Sequence, residues 1–133
     1  MTALPRRGFL DLAMGALGAL ASFGFSSRTQ PMNRFGLHGT LLAHPGRRDT
    51  LAQLLLDGAR VVATLPGCEL YIVSIDEKDA NAIYVTEVWK TEADHKASLQ
   101  VPGIRAIIEK GRPMVAGFGD SSRMLTLGGH GLS

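Results

Sequence analysis

The stretch EVWKTEADH, which ends at His95, combines a carboxylate, the chain's only tryptophan and a histidine. Alternate residues of a strand share a face, so Glu87 and Trp89 are predicted to lie side by side at a strand end. Thr91 is a favourable helix N-cap, and Asp94 three residues later resembles a capping box. We therefore expect His95 in the first turn of the next helix, close to the strand end. The pattern predicts a small buried pocket.

Each of these side chains has a candidate role and an alternative. His95 is a candidate catalytic base, because the ordinary pKa of histidine is about 6.5. Glu87 could orient that imidazole, bind a substrate hydroxyl or act as the base itself if burial raises its pKa, and Trp89 could stack on a flat substrate. Alternatively, Trp89 fills the core or an interface, His95 lies on the solvated surface, and Glu87 pairs with an arginine across a dimer interface.

The sequence lacks the familiar catalytic and cofactor motifs. It contains no G-x-S-x-G, H-E-x-x-H or C-x-x-C, and the glycines at 117 and 119 lack the third glycine and the helix of a dinucleotide fingerprint. We therefore predict no cofactor. Cys68 is the only cysteine and is interpreted as a small buried hydrophobe. No metal site is predicted, because the four histidines show no paired ligand spacing: His38, His44, His95 and His130.

The strand end with Glu87 and Trp89, followed by a helix with His95, resembles the antibiotic biosynthesis monooxygenase family, which includes small quinol-oxidising enzymes. The resemblance extends over roughly residues 34–127 and implies a cofactor-independent monooxygenase that oxidises a small quinol or phenol with dioxygen. In such an enzyme Tyr71 could offer the substrate a hydroxyl, and Arg123 could stabilise a phenolate if the last strand returns beside the pocket.

Two other functions stay open. The first is a non-catalytic, ligand-binding or stress-related dimer, since one fold hosts many tasks. The second is haem degradation, as in some relatives that hold haem through a histidine near a tryptophan. The first strand here has no matching asparagine, and the separation of Trp89 from His95 is short for that pattern, so haem degradation ranks last.

Hydrophobic periodicity predicts the elements that position these residues. Apolar side chains alternate in the first three predicted strands and fall at helical spacing in the long helix and in the stripe that begins at 104. Pro and Gly residues separate several of the elements. The predicted elements are a strand at 34–44, a helix from 47 to 65, strands at 68–75 and 82–89, a short helix at 93–99, a helical stripe from 104 to 113, and a strand at 115–127 broken by a turn at 119–122. This order, βαββαβ, is the ferredoxin-like α+β arrangement.

A homodimer is predicted from the central strands. Both faces of the hairpin formed by 68–75 and 82–89 are apolar, whereas the helices can cover only one face. An uncovered apolar face is seldom left in water, so we expect two sheets to pack face to face with two-fold symmetry. The family resemblance implies the same assembly, a dimeric α+β barrel.

The N-terminus predicts export. Arg6 and Arg7 are followed by Gly-Phe-Leu and an uncharged, Ala- and Gly-rich run, as in a twin-arginine signal. We assign residues 1–21 to this leader, 22–33 to a flexible linker, 34–127 to the folded domain and 128–133 to a Gly-rich tail. The protein would then be periplasmic or secreted and would meet the membrane only during export. If translation starts at Met32 instead, it would be cytoplasmic.

The charge balance excludes one class of partner. The formal net charge is +2, with 14 basic and 12 acidic residues, and the basic residues are scattered along the chain. A nucleic-acid-binding protein typically clusters its positive charge on one face or along one helix. The charge pattern therefore predicts no nucleic-acid partner. The partners expected from the pocket residues, the apolar sheet face and the family resemblance are a small aromatic substrate and a second copy of the chain.

Overall fold

The computed structural model describes residues 33–132. The predicted leader and nearly all of the predicted linker lie outside these residues, so export remains a prediction. None of the helices in the described part has both the length and the apolar composition that a membrane span requires. The elements are β1 (Arg34–Ala43), α1 (Arg48–Val62), β2 (Cys68–Ile75), β3 (Ala82–Trp89), α2 (Glu92–Ser98), α3 (Pro102–Gly111), a short 3-10 helix (Arg112–Met114) and β4 (Val115–Thr126).

The four strands form one antiparallel sheet in the order β2-β3-β1-β4. The two central strands, β1 and β3, are each followed in the chain by helical segments, so the connections pass over the sheet. The predicted ferredoxin-like α+β fold is confirmed, with α2 and α3 together taking the place of its second helix.

The predicted element boundaries differ from the structure in a few places. Both ends of β2 and β3 are confirmed. Helix α1 ends at Val62 rather than Leu65, and Leu65 packs into the core from the turn that follows. Pro102 does not merely interrupt a helical stripe, because it begins α3, where its missing N–H costs nothing.

The predicted turn within the last strand is wrong. Strand β4 is continuous, and the Gly-Asp pair at 119–120 forms a bulge opposite Thr40 of β1. Pairing runs from Gly39 with Ser121 directly to Leu41 with Phe118, so two residues of β4 oppose one residue of β1. A bulge and a turn share the same small, polar residue types, so the sequence alone does not separate them.

The core lies between the sheet and the helices in two clusters. One is centred on Ile83, which packs with Leu51 of α1. The other is centred on Trp89, which packs with Val62 of α1 and Ile104 of α3. Ile83 and Trp89 are both completely buried. The second cluster therefore anchors the end of β3 where the candidate site lies.

The chain leaves α1 and enters β2 close to the start of α2. A β-carbon placed on Gly67 would lie 2.5 Å from the Cβ and Cγ atoms of Asp94. The backbone carbonyl of Gly67 also accepts a hydrogen bond from the backbone N–H of Lys90, at 2.9 Å. Only glycine permits this approach, which brings the first turn of α2 against the end of the sheet.

Candidate functional site

The centre of the site is a hydrogen bond between two residues of one strand face. The indole Nε1–H of Trp89 donates to Oε1 of Glu87 at 3.0 Å. Both side chains point to the helix-covered face because they are two residues apart in β3. The indole is completely buried, and the Glu87 side chain is only 17% exposed. The tryptophan thus fixes one carboxylate oxygen in an apolar environment.

Helix α2 brings a histidine to the same carboxylate. Thr91 is the N-cap, and its hydroxyl accepts a hydrogen bond from the backbone N–H of Asp94 at 3.1 Å, as the sequence predicted. Nε2 of His95 then lies 3.8 Å from Oε1 of Glu87. That separation is too long for a hydrogen bond but short enough for strong electrostatic interaction if the imidazole is protonated.

Aromatic rings enclose the imidazole. The rings of His95 and Trp89 meet edge to face, with centroids 5.8 Å apart, and the ring of Phe35 lies 5.5 Å from the imidazole. Phe35 occupies the position of β1 directly opposite Trp89. Phe35 is not predictable from local sequence as a site residue, because its place beside the site depends on the register between β1 and β3.

A small cavity opens beside the carboxylate. It has a volume of about 230 Å³, and both Glu87 and Tyr71 line it. Tyr71 faces Glu87 directly across the β2–β3 ladder. The remaining wall is mainly apolar and includes Leu37, Leu41, Leu55 and Val85. His38, Gly39 and Ser121 complete the lining. The cavity therefore presents one carboxylate and one phenol to a molecule whose other contacts are mainly with hydrocarbon.

Burial dominates the electrostatics of Glu87. It raises the pKa of the Glu87 carboxyl, while the hydrogen bond from Trp89 and the charge of His95 lower it in part. The net direction is upward. A carboxyl group with a raised pKa is a stronger base when ionised, and it takes up a proton closer to neutral pH. Of the two predicted catalytic residues, Glu87 lines the cavity and His95 does not.

Two neighbours of Glu87, Tyr71 and Cys68, remain in their neutral forms. Burial, followed by the negative charge of Glu87, raises the pKa of the Tyr71 phenol. The same two causes raise the pKa of the Cys68 thiol. Tyr71 is therefore a hydrogen-bond donor at neutral pH. Cys68 is a protonated thiol, which agrees with its interpretation as a small apolar residue rather than a nucleophile.

Arg123 does not reach the cavity beside Glu87. It lies two strands away, since β1 separates β4 from β3, and it pairs in register with Leu37. Its guanidinium forms an ion pair with Glu92 of α2 and lies 5.1 Å from the centroid of the Phe35 ring. The hydrogen bond from Arg123 holds the pKa of Glu92 below its ordinary value. Arg123 thus ties β4 to α2 over Phe35.

Trp89 does not line the cavity beside Glu87, where the sequence predicted that it could stack on a flat substrate. Its ring is enclosed by the core and lines a separate cavity of about 180 Å³ near Pro66 and Asp94, not the cavity beside Glu87. The indole contacts the Glu87 carboxylate through its Nε1–H. The structure therefore unites Glu87, Trp89, His95 and Tyr71 in one cluster and leaves Arg123 at its edge.

The second face of the sheet is mixed in character. Ile72 is 49% exposed there. His38 also lies on this face, where its Nδ1 is 2.9 Å from the Thr86 hydroxyl and its ring stacks on Tyr84. The face is therefore more polar than predicted, and the contact between His38 and Thr86 joins polar side chains of β1 and β3 across it.

Among residues 33–132, no three His, Cys, Asp or Glu side chains form a group that could hold a metal ion. The fold and the site together define a ferredoxin-like α+β domain with a buried carboxylate–indole–imidazole cluster beside a small apolar cavity. Residues 34–110 match the family model described as antibiotic biosynthesis monooxygenase. The chain belongs to that family.

Solved structures support this assignment. A Chloroflexus aurantiacus protein named for the family is 41% identical, with a TM-score of 0.70 over 75% of this chain and 99% of that chain. A Deinococcus radiodurans protein named for it is 27% identical, with a TM-score of 0.60 over 68% and 89% of the two chains. A Caulobacter crescentus protein, 20% identical over 73% and 92% of the chains with a TM-score of 0.66, shares the fold. No curated protein matches. The family and these names support a general monooxygenase-like role.

Proposed function

We propose that the protein is a cofactor-independent monooxygenase that oxidises a small quinol or phenol with dioxygen, and that Glu87 is its catalytic base. The observation that carries the proposal is the position of Glu87, whose carboxyl group is buried, is bound by the Trp89 indole and lines the cavity of about 230 Å³. A carboxylate in such a site accepts a proton from a phenolic hydroxyl more readily than one in water, because burial disfavours its charged form.

The proposed reaction balances with the substrate and dioxygen alone. A hydroquinone and dioxygen give a hydroxyquinone and water: one oxygen atom enters the ring, and the other leaves as water with two hydrogens of the substrate. The substrate supplies all four electrons. Glu87 takes the first hydroxyl proton, and the electron-rich anion then reacts with dioxygen. The Tyr71 phenol, neutral at working pH, donates a hydrogen bond to the substrate anion in the same cavity.

The other two members of the cluster are positioning residues. Trp89 holds Oε1 of Glu87 at 3.0 Å, so that the carboxylate keeps one orientation. His95 does not line the cavity, and its Nε2 lies 3.8 Å from the same oxygen. When the imidazole is protonated, its charge stabilises the Glu87 carboxylate. A fixed base near the reacting hydroxyl lowers the barrier by limiting reorganisation.

Oxygen uptake tests the proposal directly. Purified protein is incubated with menadiol under air, and oxygen consumption is compared with a protein-free blank. We expect Glu87→Gln to slow the protein-dependent rate by about 100-fold or more, the usual contribution of a general base. Glu77→Gln, a matched change in the exposed turn between β2 and β3, should leave the rate unchanged. Equal rates for wild type and Glu87→Gln would refute the assignment. Binding without oxygen uptake would favour a ligand-binding protein.

We also propose that the protein works as a homodimer joined through the uncovered sheet face. Support comes from Ile72, which is 49% exposed in the middle of β2, and from Leu70 beside it on the same face. Two copies related by a two-fold axis would cover these side chains and place each helix layer outside. Each cavity beside Glu87 lies on the helix side of its own sheet, so each protomer would keep its own site.

A further inference from the structure

A second and larger cavity lies farther along the helix side of the sheet. Its volume is about 510 Å³, within the range of about 300–1,000 Å³ that is typical of pockets for small organic ligands. It lies between α1, α3 and β4, and among its lining residues Arg112 alone is charged. The wall includes Leu41, Leu51, Leu55, Ile107, Ile108 and Phe118.

This apolar cavity adjoins the one beside Glu87. Leu41 of β1 and Leu55 of α1 line both cavities. The smaller cavity therefore contributes the Glu87 carboxylate and the Tyr71 phenol, and the larger cavity is lined mainly by hydrocarbon. Of the residues that line the larger cavity, Phe118 is 76% exposed and Ile108 is 40% exposed, and Phe118 pairs with Leu41 across the β1–β4 ladder. A large aromatic side chain that remains so exposed beside an apolar cavity marks a surface suited to contact with an apolar molecule.

We infer that the substrate is amphipathic: a phenolic or quinol head that binds at Glu87 and Tyr71, and an aliphatic tail that runs past Leu41 and Leu55 to Phe118. This inference rests on the proposed function for the position of the head. A short prenyl or alkyl chain fits the cavity wall, which offers a chain no hydrogen-bonding side chain except that of Arg112 at its margin. A second charged group on the tail would lose its hydration there without compensation.

Ligand binding tests the inference without requiring turnover. The probes are two stable quinones with the same head, menadione without a tail and a naphthoquinone that carries a geranyl chain. Quenching of Trp89, the chain's only tryptophan, gives the dissociation constants, because Trp89 contacts Glu87 at the head site. We expect the geranyl compound to bind at least about 50-fold tighter, since each buried methylene contributes about fourfold in affinity.

Two substitutions locate the tail. Phe118→Asp should weaken binding of the geranyl compound by about tenfold or more, because it places a charge beside the aliphatic chain. The affinity for menadione, which has no chain, should stay unchanged. Leu127→Asp is the matched control: Leu127 is also exposed, at 63%, but does not line this cavity, so its change should have no effect. Ile108→Asp repeats the test from α3 if Phe118→Asp does not fold.

Three outcomes would overturn the inference. They are equal affinity for the two quinones, a gain from the tail that Phe118→Asp and Ile108→Asp leave intact, and an equal loss with Leu127→Asp. Failure of the proposed function is distinguishable from these outcomes. A protein that binds the tailed quinone through Phe118 but consumes no oxygen keeps the amphipathic site and loses the monooxygenase. A protein that consumes oxygen but binds both quinones equally would keep the monooxygenase and lose the amphipathic site.

Discussion

Replacement of Trp89 by phenylalanine should lower the free energy of unfolding and raise the pKa of Glu87. The change removes the hydrogen bond from Nε1 to Oε1 of Glu87, which spans 3.0 Å. A hydrogen bond to a charged group contributes about 1.5–3 kcal/mol. The smaller ring also leaves a void at a position with no exposed surface, at a further cost of about 1 kcal/mol. We therefore expect a loss of about 2.5–4 kcal/mol in the free energy of unfolding at neutral pH.

Thermal and urea unfolding measure this loss. For a domain of this size, about 3 kcal/mol corresponds to a fall in Tm of about 12–24 °C. Ile83→Val is the matched control, because Ile83 is equally buried but makes no side-chain hydrogen bond, and its cost should be about 0.5–1.5 kcal/mol. If Trp89→Phe costs no more than Ile83→Val, the indole N–H does not contribute as the structure indicates.

The same variant should change the pH dependence of activity in a defined direction. The Trp89 hydrogen bond lowers the pKa of Glu87 against the larger upward effect of burial. Without that bond the pKa rises further. Because the base acts only when ionised, the acidic limb of the pH–rate profile should move to higher pH in Trp89→Phe. A limb at an unchanged position would contradict Glu87 as the titrating base.

Three other changes test separate parts of the structure. Burial raises the pKa of Glu87 above its ordinary value of 4.5, so the folded protein loses stability as the pH rises from 4.5 through the raised pKa and the carboxyl ionises. Glu87→Gln cannot ionise and should therefore have a higher Tm than wild type at alkaline pH, but not below pH 4.5. Ile72→Asp should give monomers in sedimentation equilibrium at micromolar concentration, whereas the control Leu56→Asp on the exposed side of α1 should not; a monomeric wild type would refute the dimer. Arg123→Gln should raise the pKa of Glu92 towards its ordinary value, as followed by carboxyl NMR titration; an unchanged titration would argue against the ion pair.

Local sequence signals predicted the central part of the fold well. The alternation in β2 and β3, with a polar turn between them, fixed both strands at both ends. The same alternation placed Glu87 and Trp89 on one face, and Thr91 marked the start of the helix that carries His95. These features depend on contacts between residues close in the chain, which composition and spacing encode directly.

Features that depend on pairing between distant strands were not predictable in the same way. The place of Phe35 opposite Trp89 follows from the register of β1 on β3. The order β3-β1-β4 separates Arg123 from Glu87, and nothing in the residues near 123 indicates that order. The indole hydrogen bond likewise depends on the side-chain orientation that core packing imposes on Trp89.

Oxidation of menadiol under heavy-oxygen-labelled dioxygen shows whether Glu87 makes this site a monooxygenase. We expect one labelled oxygen atom in the hydroxyquinone and the other in water, and we expect Glu87→Gln to form almost none of this product. Unlabelled quinone together with labelled hydrogen peroxide, or labelled product formed equally by wild type and Glu87→Gln, would contradict this expectation.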